Sequence, residues 1–342
     1  MIPYFFVFLS VILLCNIKCK NRNYTRLLAI FLLIFFVGFR YDVGADYFSY
    51  QTIFEAIADN DHSVPVEIGY FWLNRIVSFF STNFYFLTTI VALIQLGLLH
   101  LCLKDKSFYA FSVYIFMTTC LGTIVNEMRQ YLAVAFFFYS LLYVNKSIIK
   151  YTIVILLGAC FHFSILFLYP LYFILSSSLK PFLYPFIFIV ILVLSGWGIL
   201  DAFFVKLIGY TYYANIYGLK ENVTAINSGL GFWIHNLMGL WILFYAKRIF
   251  AKYPQYIIYF NLFFVYLLFR NLFFHVDILM RMILYTQWSE IIIYPLFVST
   301  FVNRYNRYML TTFISIVFFI LFVCGVMNHD YHLDYHMVNL RM

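Results

Sequence analysis

Charge is what this sequence has least of. Only 11% of its 342 residues are Asp, Glu, Lys or Arg, where a soluble domain carries about 25%. That deficit excludes an ordinary water-soluble fold. Also missing is the two-residue alternation that a barrel strand of about ten residues needs, which excludes a transmembrane β-barrel. There is no P-loop, no dinucleotide fingerprint, no Gly-x-Ser-x-Gly nucleophile turn and no HExxH helix of a zinc peptidase. The six cysteines (Cys15, Cys19, Cys102, Cys120, Cys160 and Cys324) lack metal-ligand spacing and mostly sit within apolar runs, so they read as small buried apolar residues. No small-residue cleavage site follows the first apolar run, which reads as a retained helix.

What the chain does have is hydrophobic surface. Apolar residues make up 65% of it, and the mean hydropathy is +0.90. The apolar residues fall in repeated runs of roughly 18 to 20, each long enough to cross a bilayer core of about 30 Å. The fold class is therefore an all-α polytopic integral membrane protein. A net charge of +8 does not point to nucleic acid. The basic residues sit in short clusters between apolar runs, as cytoplasmic loops require.

Taking those clusters as cytoplasmic orders the chain. The first run, 2–17, ends in Lys18, Lys20, Arg22 and Arg26, so the N-terminus points outward. The second run, 24–39, returns to the outside, where the polar segment 40–67 emerges. Residues 68–81 are apolar but short and contain Arg75, which suggests a re-entrant or interfacial segment. A run at 83–103 goes in. Runs at 107–124 and 127–144 form a hairpin whose outer turn reads Asn126-Glu127-Met128-Arg129-Gln130. Residues 148–179 fit one long helix or two short ones turning near His162, and only the second keeps Lys180 and the later basic clusters inside. Runs at 183–200, 230–246, 255–274, 278–299 and 308–327 complete about twelve crossings. A long external loop at 201–229 and an external tail at 328–342 belong to the same single domain, 1–342.

Ionisable side chains in or beside membrane segments are costly, so they are the first candidates for function. Arg40, Asp42, Asp46, Tyr47 and Tyr50 lie where the second run leaves the membrane. The assigned topology brings Glu67, Glu127, Arg129, Gln130, His162, His235, Arg270, His275, Asp277 and Arg281 toward the same face. Three arginines from separate segments, Arg40, Arg129 and Arg281, suit a diphosphate, because guanidinium is permanently charged and its fork matches phosphate oxygens. The competing reading pairs them with Asp42, Glu127 and Asp277 as ties between helix ends. His162 can take a proton from a sugar hydroxyl, donate one to a phosphate oxygen, or simply bond backbone exposed by the turn. Asp46 and Glu67 are the carboxylate alternatives for a base. Tyr47, Tyr50, Tyr70 and the external Tyr210, Tyr212 and Tyr213 can stack on sugars or belong to the interfacial aromatic belt. The tail has metal-binding residue types in His329, Asp330, His332, Asp334 and His336. Nothing organises them, so it reads as a solvated tail, and no metal is expected.

The order Phe39-Arg40-Tyr41-Asp42-Val43-Gly44-Ala45-Asp46-Tyr47-x-x-Tyr50, then Glu67-x-Gly69-Tyr70, Met128-Arg129-Gln130-x-x-Ala133 and Phe161-His162-x-Ser164 resembles the EpsG branch of the Wzy-type polysaccharide polymerases. Arg281-x-x-x-Tyr285 is similar to that family's last arginine motif, and the likeness covers about residues 25–290. The resemblance implies a metal-independent, cofactor-free glycosyltransferase-type polymerase of the bacterial inner membrane, working on the periplasmic side. Its donor and acceptor would be undecaprenyl-diphosphate-linked oligosaccharides for O-antigen or a related surface polysaccharide. The growing chain would pass to the non-reducing end of an incoming repeat unit. Its partners would be the bilayer and a chain-length regulator, not nucleic acid. On this basis Arg129, Arg281, His162 and Asp46 are expected to be catalytic. Arg40, Asp42, Tyr47, Tyr50, Glu67, Glu127 and Gln130 are expected to bind substrate. An O-antigen ligase shares this donor chemistry. A repeat-unit flippase would instead show midplane charges and two related halves.

Overall fold

A computed structural model of the chain describes residues 2–17, 22–197, 206, 229–273, 277–327 and 333–337. Backbone amides in hydrocarbon have no water to bond, so an apolar chain satisfies them inside helices. The described residues follow that rule, and their one strand pairing is two residues long. The first helices are α1 (Ile2–Asn16) and α2 (Arg22–Gly38), followed by strand β1 (Arg40–Tyr41). Then come α3 (Tyr47–Ala58), α4 (Ile68–Phe80), α5 (Phe84–Leu103), α6 (Tyr109–Thr119), α7 (Leu121–Asn126), α8 (Met128–Ser140) and α9 (Ile148–Ala159). The chain continues through α10 (Leu171–Ile174), α11 (Leu183–Gly196), α12 (Leu230–Phe244), α13 (Ala246–Lys252) and α14 (Ile257–Leu272). It ends with α15 (Asp277–Gln287), α16 (Glu290–Ser299), α17 (Arg304–Met327) and strand β2 (His336–Met337). These elements form two compact units, residues 1–172 with 308–342, and residues 173–307.

In the first unit α5 packs on α2 and α8, α8 packs on α9, and α1 packs on α2 and α6. At one end of this bundle the Tyr4 ring meets Phe36 at 5.2 Å and Phe322 at 5.7 Å. The start of α1 therefore lies with the ends of α2 and α17. At the opposite end Arg26 donates to the carbonyls of Lys104 and Lys106, and its guanidinium sits 4.7 Å from the Tyr109 ring. The start of α2 thus lies with the end of α5 and the start of α6. This is the alternation that the basic clusters required.

Among the described residues, two helices are long and apolar enough to cross a membrane alone, Phe84–Leu103 and Arg304–Met327. Other apolar helices have 10 to 17 residues, because several expected runs are broken. Hydroxyl groups cluster around the breaks. Thr118, Thr119 and Thr123 bond back to carbonyls three or four residues earlier, around the interruptions at Cys120 and Glu127. Thr286 and Ser289 do the same between α15 and α16. Such back-bonds compete with the helical ladder and bend it. The expected hairpin over 107–144 is accordingly opened, with α6 packed chiefly on α1 and α8 on α5 and α9.

Residues 148–174 do turn back on themselves after Ala159. A 3-10 helix, Phe163–Leu168, returns along α9, and the hydroxyls of Thr152 and Tyr169 bond at 2.9 Å. The segment near 68–81 is a regular helix, with Ile68, Trp72, Ile76, Phe79 and Phe80 exposed along one face. The loop at 201–229 lies outside the described residues, apart from Lys206 and Gly229, as do the ends of the tail. Within the tail, residues 333–337 correct the solvated reading. β2 pairs antiparallel with β1, with Met337 opposite Arg40 and His336 opposite Tyr41. Tyr335 lies flat on Phe36 at 4.0 Å and donates to its carbonyl at 2.9 Å, while the Tyr4 hydroxyl donates to the Leu333 carbonyl at 2.9 Å.

Candidate functional site

Two glycines assemble the polar end of the first unit. Gly44 has φ +99°, a left-handed conformation that suits glycine. A Cβ there would stand 2.9 Å from the Val125 carbonyl oxygen and 3.1 Å from Asn126 Cα. The loop after β1 therefore lies directly on the junction of α7 and α8, where the Asn126 side chain accepts the Asp46 backbone N–H at 3.1 Å. On the other side, the Gly69 N–H donates to the Cys160 carbonyl at 2.8 Å, and a Cβ would meet Cys160 Cβ at 2.7 Å. That contact sets the start of α4 on the end of α9. Phe161 in turn stacks on Phe136 of α8 at 5.6 Å. The segments 40–50, 67–70 and 160–164 are thus gathered around α8.

Arg129, the second residue of α8, occupies the middle of this arrangement. Its Nη1 donates to Glu67 Oε2 at 2.8 Å, a charge-assisted bond. Its guanidinium lies 5.8 Å from the Tyr70 ring centroid, within cation–π range, and it also bonds the Tyr50 side chain. The competing carboxylate from the sequence, Glu127, is not the one that takes this bond. Glu127 forms the junction itself, with φ −100° and ψ 62° and no side-chain cap on α8. Gln130 is buried beside it, as are Tyr47, Tyr50 and Tyr70. Arg129 and Glu67 keep 27% and 13% of their side-chain surface exposed, so the ion pair is partly accessible from the protein surface. A cation at a helix N-terminus, where backbone N–H groups lack partners, is an arrangement suited to an anion.

The other expected residues take distinct places. Arg40 is almost wholly buried, donates to the carbonyls of Val37 at 2.6 Å and Val125 at 3.0 Å, and has no carboxylate partner among the described residues. Burial lowers it to about 10, so it stays charged at neutral pH. Its fork ties the last turn of α2 to α7. Asp42, at φ +51°, and Asp46 are exposed along the loop. His162 caps the 3-10 helix: its Nδ1 accepts from the Ser164 N–H at 3.4 Å and meets the Ser164 hydroxyl at 2.7 Å. A nitrogen that accepts a backbone N–H holds its lone pair there, so the neutral ring carries its proton on Nε2.

A comparison with protein families matches residues 23–337 to the EpsG family. The chain belongs to that family. EpsG proteins are Wzy-like polymerases associated with glycosyltransferase-like activity, and this member is a helical membrane protein. Comparison with curated proteins and with solved structures found no match.

The second unit of this EpsG-family chain carries Arg281 on the exposed side of α15, one turn before the buried Tyr285. His275 and the side chain of Asp277 lie outside the described residues. Sequence reasoning passed over three participants. Gln95 donates from α5 to the Met128 carbonyl at 3.1 Å, Asn126 holds the Asp46 backbone, and Tyr335 covers the end of α2. Gln95 carried a usable signal, being a lone amide within an apolar run.

Proposed function

We propose that this protein polymerises oligosaccharide repeat units carried on undecaprenyl diphosphate. In this reading it moves the growing chain to the non-reducing end of an incoming unit and releases the lipid diphosphate. The observation that carries it is Arg129, held by Glu67 at the start of α8 and surrounded by the segments 40–50, 67–70 and 160–164. The reaction cleaves the bond between an anomeric carbon and a phosphate oxygen. Negative charge gathers on that oxygen as the bond breaks, and preorganised donors are the largest means of stabilising it. Arg129 and the first N–H groups of α8 serve that purpose. His162 supports them as a donor through Nε2–H. Arg40 fixes the α2–α7 geometry beneath them. Asp42, Asp46, Tyr47, Tyr50, Glu127 and Gln130 shape the space for sugar, with Tyr47 held neutral because burial raises its hydroxyl to about 12. We place the site on the periplasmic side of a bacterial inner membrane. About twelve crossings serve as the scaffold, several of them built from short helices set end to end.

The test is the surface-polysaccharide ladder of a deletion strain complemented with wild type or Arg129→Ala. A ladder reduced to one repeat unit in both the deletion and the variant is expected. Loss of all surface sugar would favour flipping or ligation, and an unchanged ladder in the deletion would remove the protein from this pathway.

A further inference from the structure

Helix α4 has two unlike faces. Its inner residues Tyr70, Asn74 and Val77 are buried, and Tyr70 and Val77 share a cluster with Tyr47, Tyr50 and Phe54 of α3 and with Phe84 and Leu87 of α5. Ile68, Trp72, Ile76 and Phe79 recur every three or four residues along the outer face and are exposed, the pattern of a helix that lies against lipid. Arg75 stands at the edge of that face. An arginine beside hydrocarbon is costly, so the groups around it decide its role.

The turn after α3 brings acceptors to this side chain. Asn60 takes φ +69°, and its side-chain oxygen accepts from Arg75 Nη2, while Nη1 donates to the carbonyls of Ile57 and Ala58, both at 3.2 Å. The end of a helix leaves such carbonyls without helical partners, and a cation suits that end of its dipole. All these acceptors are neutral, however. Asp61 accepts the Ser63 N–H at 2.8 Å and its hydroxyl at 2.6 Å, and no carboxylate among the described residues pairs with Arg75. The guanidinium therefore keeps a full positive charge and unused N–H donors. It is half-buried and forms one wall of a cavity of about 460 Å³, whose other walls are Ala58, Ile76, Ser78, Phe79 and Phe80. The Ser78 hydroxyl is turned to the Arg75 carbonyl at 2.9 Å, which leaves the guanidinium as the polar head of an otherwise apolar space.

We propose that this cavity binds a membrane phospholipid of net negative charge, with its phosphate on Arg75 and an acyl chain against Ile76, Phe79 and Phe80. A guanidinium matches phosphate oxygens, and the apolar wall beside it matches the chain that the phosphate carries. The lipid-linked substrate is a different occupant. Glu67, which holds Arg129, caps the start of α4, and Arg75 lies about 12 Å further along the axis. A diphosphate held at Arg129 does not reach that far. The Arg75 cavity thus serves a second, separate lipid, whether or not the chain is a polymerase. Because α4 also carries Glu67 and Tyr70 to Arg129, a lipid at Arg75 braces the helix on which that pair depends.

The experiment titrates purified, delipidated protein with dioleoyl phosphatidylglycerol, dioleoyl phosphatidylcholine or undecaprenyl phosphate and follows bound lipid by native mass spectrometry. For the first lipid bound, wild type is expected to favour phosphatidylglycerol over phosphatidylcholine by about 5-fold, the worth of one charge near a membrane surface. Arg75→Gln keeps an amide donor toward α3 but no charge, and is expected to lose that preference. Arg75→Lys should keep most of it. Phe79→Ser should weaken both phospholipids alike and leave the preference in place. Equal affinity of the wild type for the two phospholipids overturns the proposal without recourse to any variant. An Arg75→Gln protein with the wild-type preference also overturns it and leaves Arg75 as a cap on α3 alone. Undecaprenyl phosphate that displaces phosphatidylglycerol at equal concentration, and does so only while Arg75 is present, assigns the cavity to the lipid carrier and overturns the phospholipid.

Discussion

Arg129 is held by the Glu67 carboxylate, the Tyr50 side chain and the Tyr70 ring, and what it offers beyond them is shape as much as charge. Lysine would keep the charge but lose the fork that meets two oxygens at once. Arg129→Lys is therefore expected to lose at least ~10-fold in chain extension and Arg129→Ala ~100-fold, read in membrane vesicles from the deletion strain supplied with that strain's own lipid-linked repeat units. Glu67→Gln keeps an acceptor near Arg129 but loosens its grip. Misplacement of a catalytic cation by about 1 Å can cost ~100-fold, so a loss of between 10- and 100-fold is expected at unchanged membrane abundance. Gly69 makes a different kind of prediction. Alanine there would place a Cβ 2.7 Å from Cys160 Cβ and 2.8 Å from its carbonyl oxygen. Overpacking of this kind costs about 1–3 kcal/mol, so Gly69→Ala should lower the melting temperature of the purified protein. Gly97→Ala is the control, since a Cβ on that glycine of α5 meets nothing within 4 Å. Alanine is about 1 kcal/mol better than glycine inside a helix, so its melting temperature should hold or rise.

At the scale of elements, the five tail residues 333–337 are what the sequence reading judged least well. Their histidines and aspartates suggested a solvated segment, while the contacts that hold them come from Tyr335, Leu333 and backbone pairing with β1. A two-residue strand has no period to detect. Helix breaks were equally hidden. Hydropathy counts Thr118, Thr119 and Thr123 as mild interruptions, while in the fold their hydroxyls bond back to the preceding turn around the boundaries of α6, α7 and α8. By contrast, the segments around Arg40, Glu67, Arg129 and His162 stood out, because each sets charge and glycine against an apolar background. Which acid would pair with Arg129 did not follow, since Asp46, Glu67 and Glu127 were all placed on the same face. The tail can be tested directly. Tyr335→Phe removes one hydrogen bond, worth about 1 kcal/mol, and should leave extension within about two-fold. Tyr335→Ala also removes the stack on Phe36 and should lower extension several-fold. It should also expose residues 333–337 to added protease while α17 stays inserted. Equal protease resistance in wild type and Tyr335→Ala would show that the tail is held by something else.

For the whole molecule, the deciding question is which end of the first unit faces which compartment. The bundle has two chemically distinct ends. One gathers Arg40, Glu67, Arg129 and the tail, and the other gathers Arg26, Lys104 and Lys106. Lysine and arginine favour the cytoplasmic side of short loops, so the proposed orientation has the Arg129 end outside. Asp59, just after α3, and Asp105, just after α5, are both exposed and so report on the two sides. With the six native cysteines replaced, a membrane-impermeant maleimide added to intact cells should label Asp59→Cys and spare Asp105→Cys until the membrane is opened. The reverse pattern would turn the Arg129 site toward the cytoplasm. A polymerase working on units already moved across the membrane could not then reach its substrate, and a role on the cytoplasmic leaflet, before translocation, would replace it.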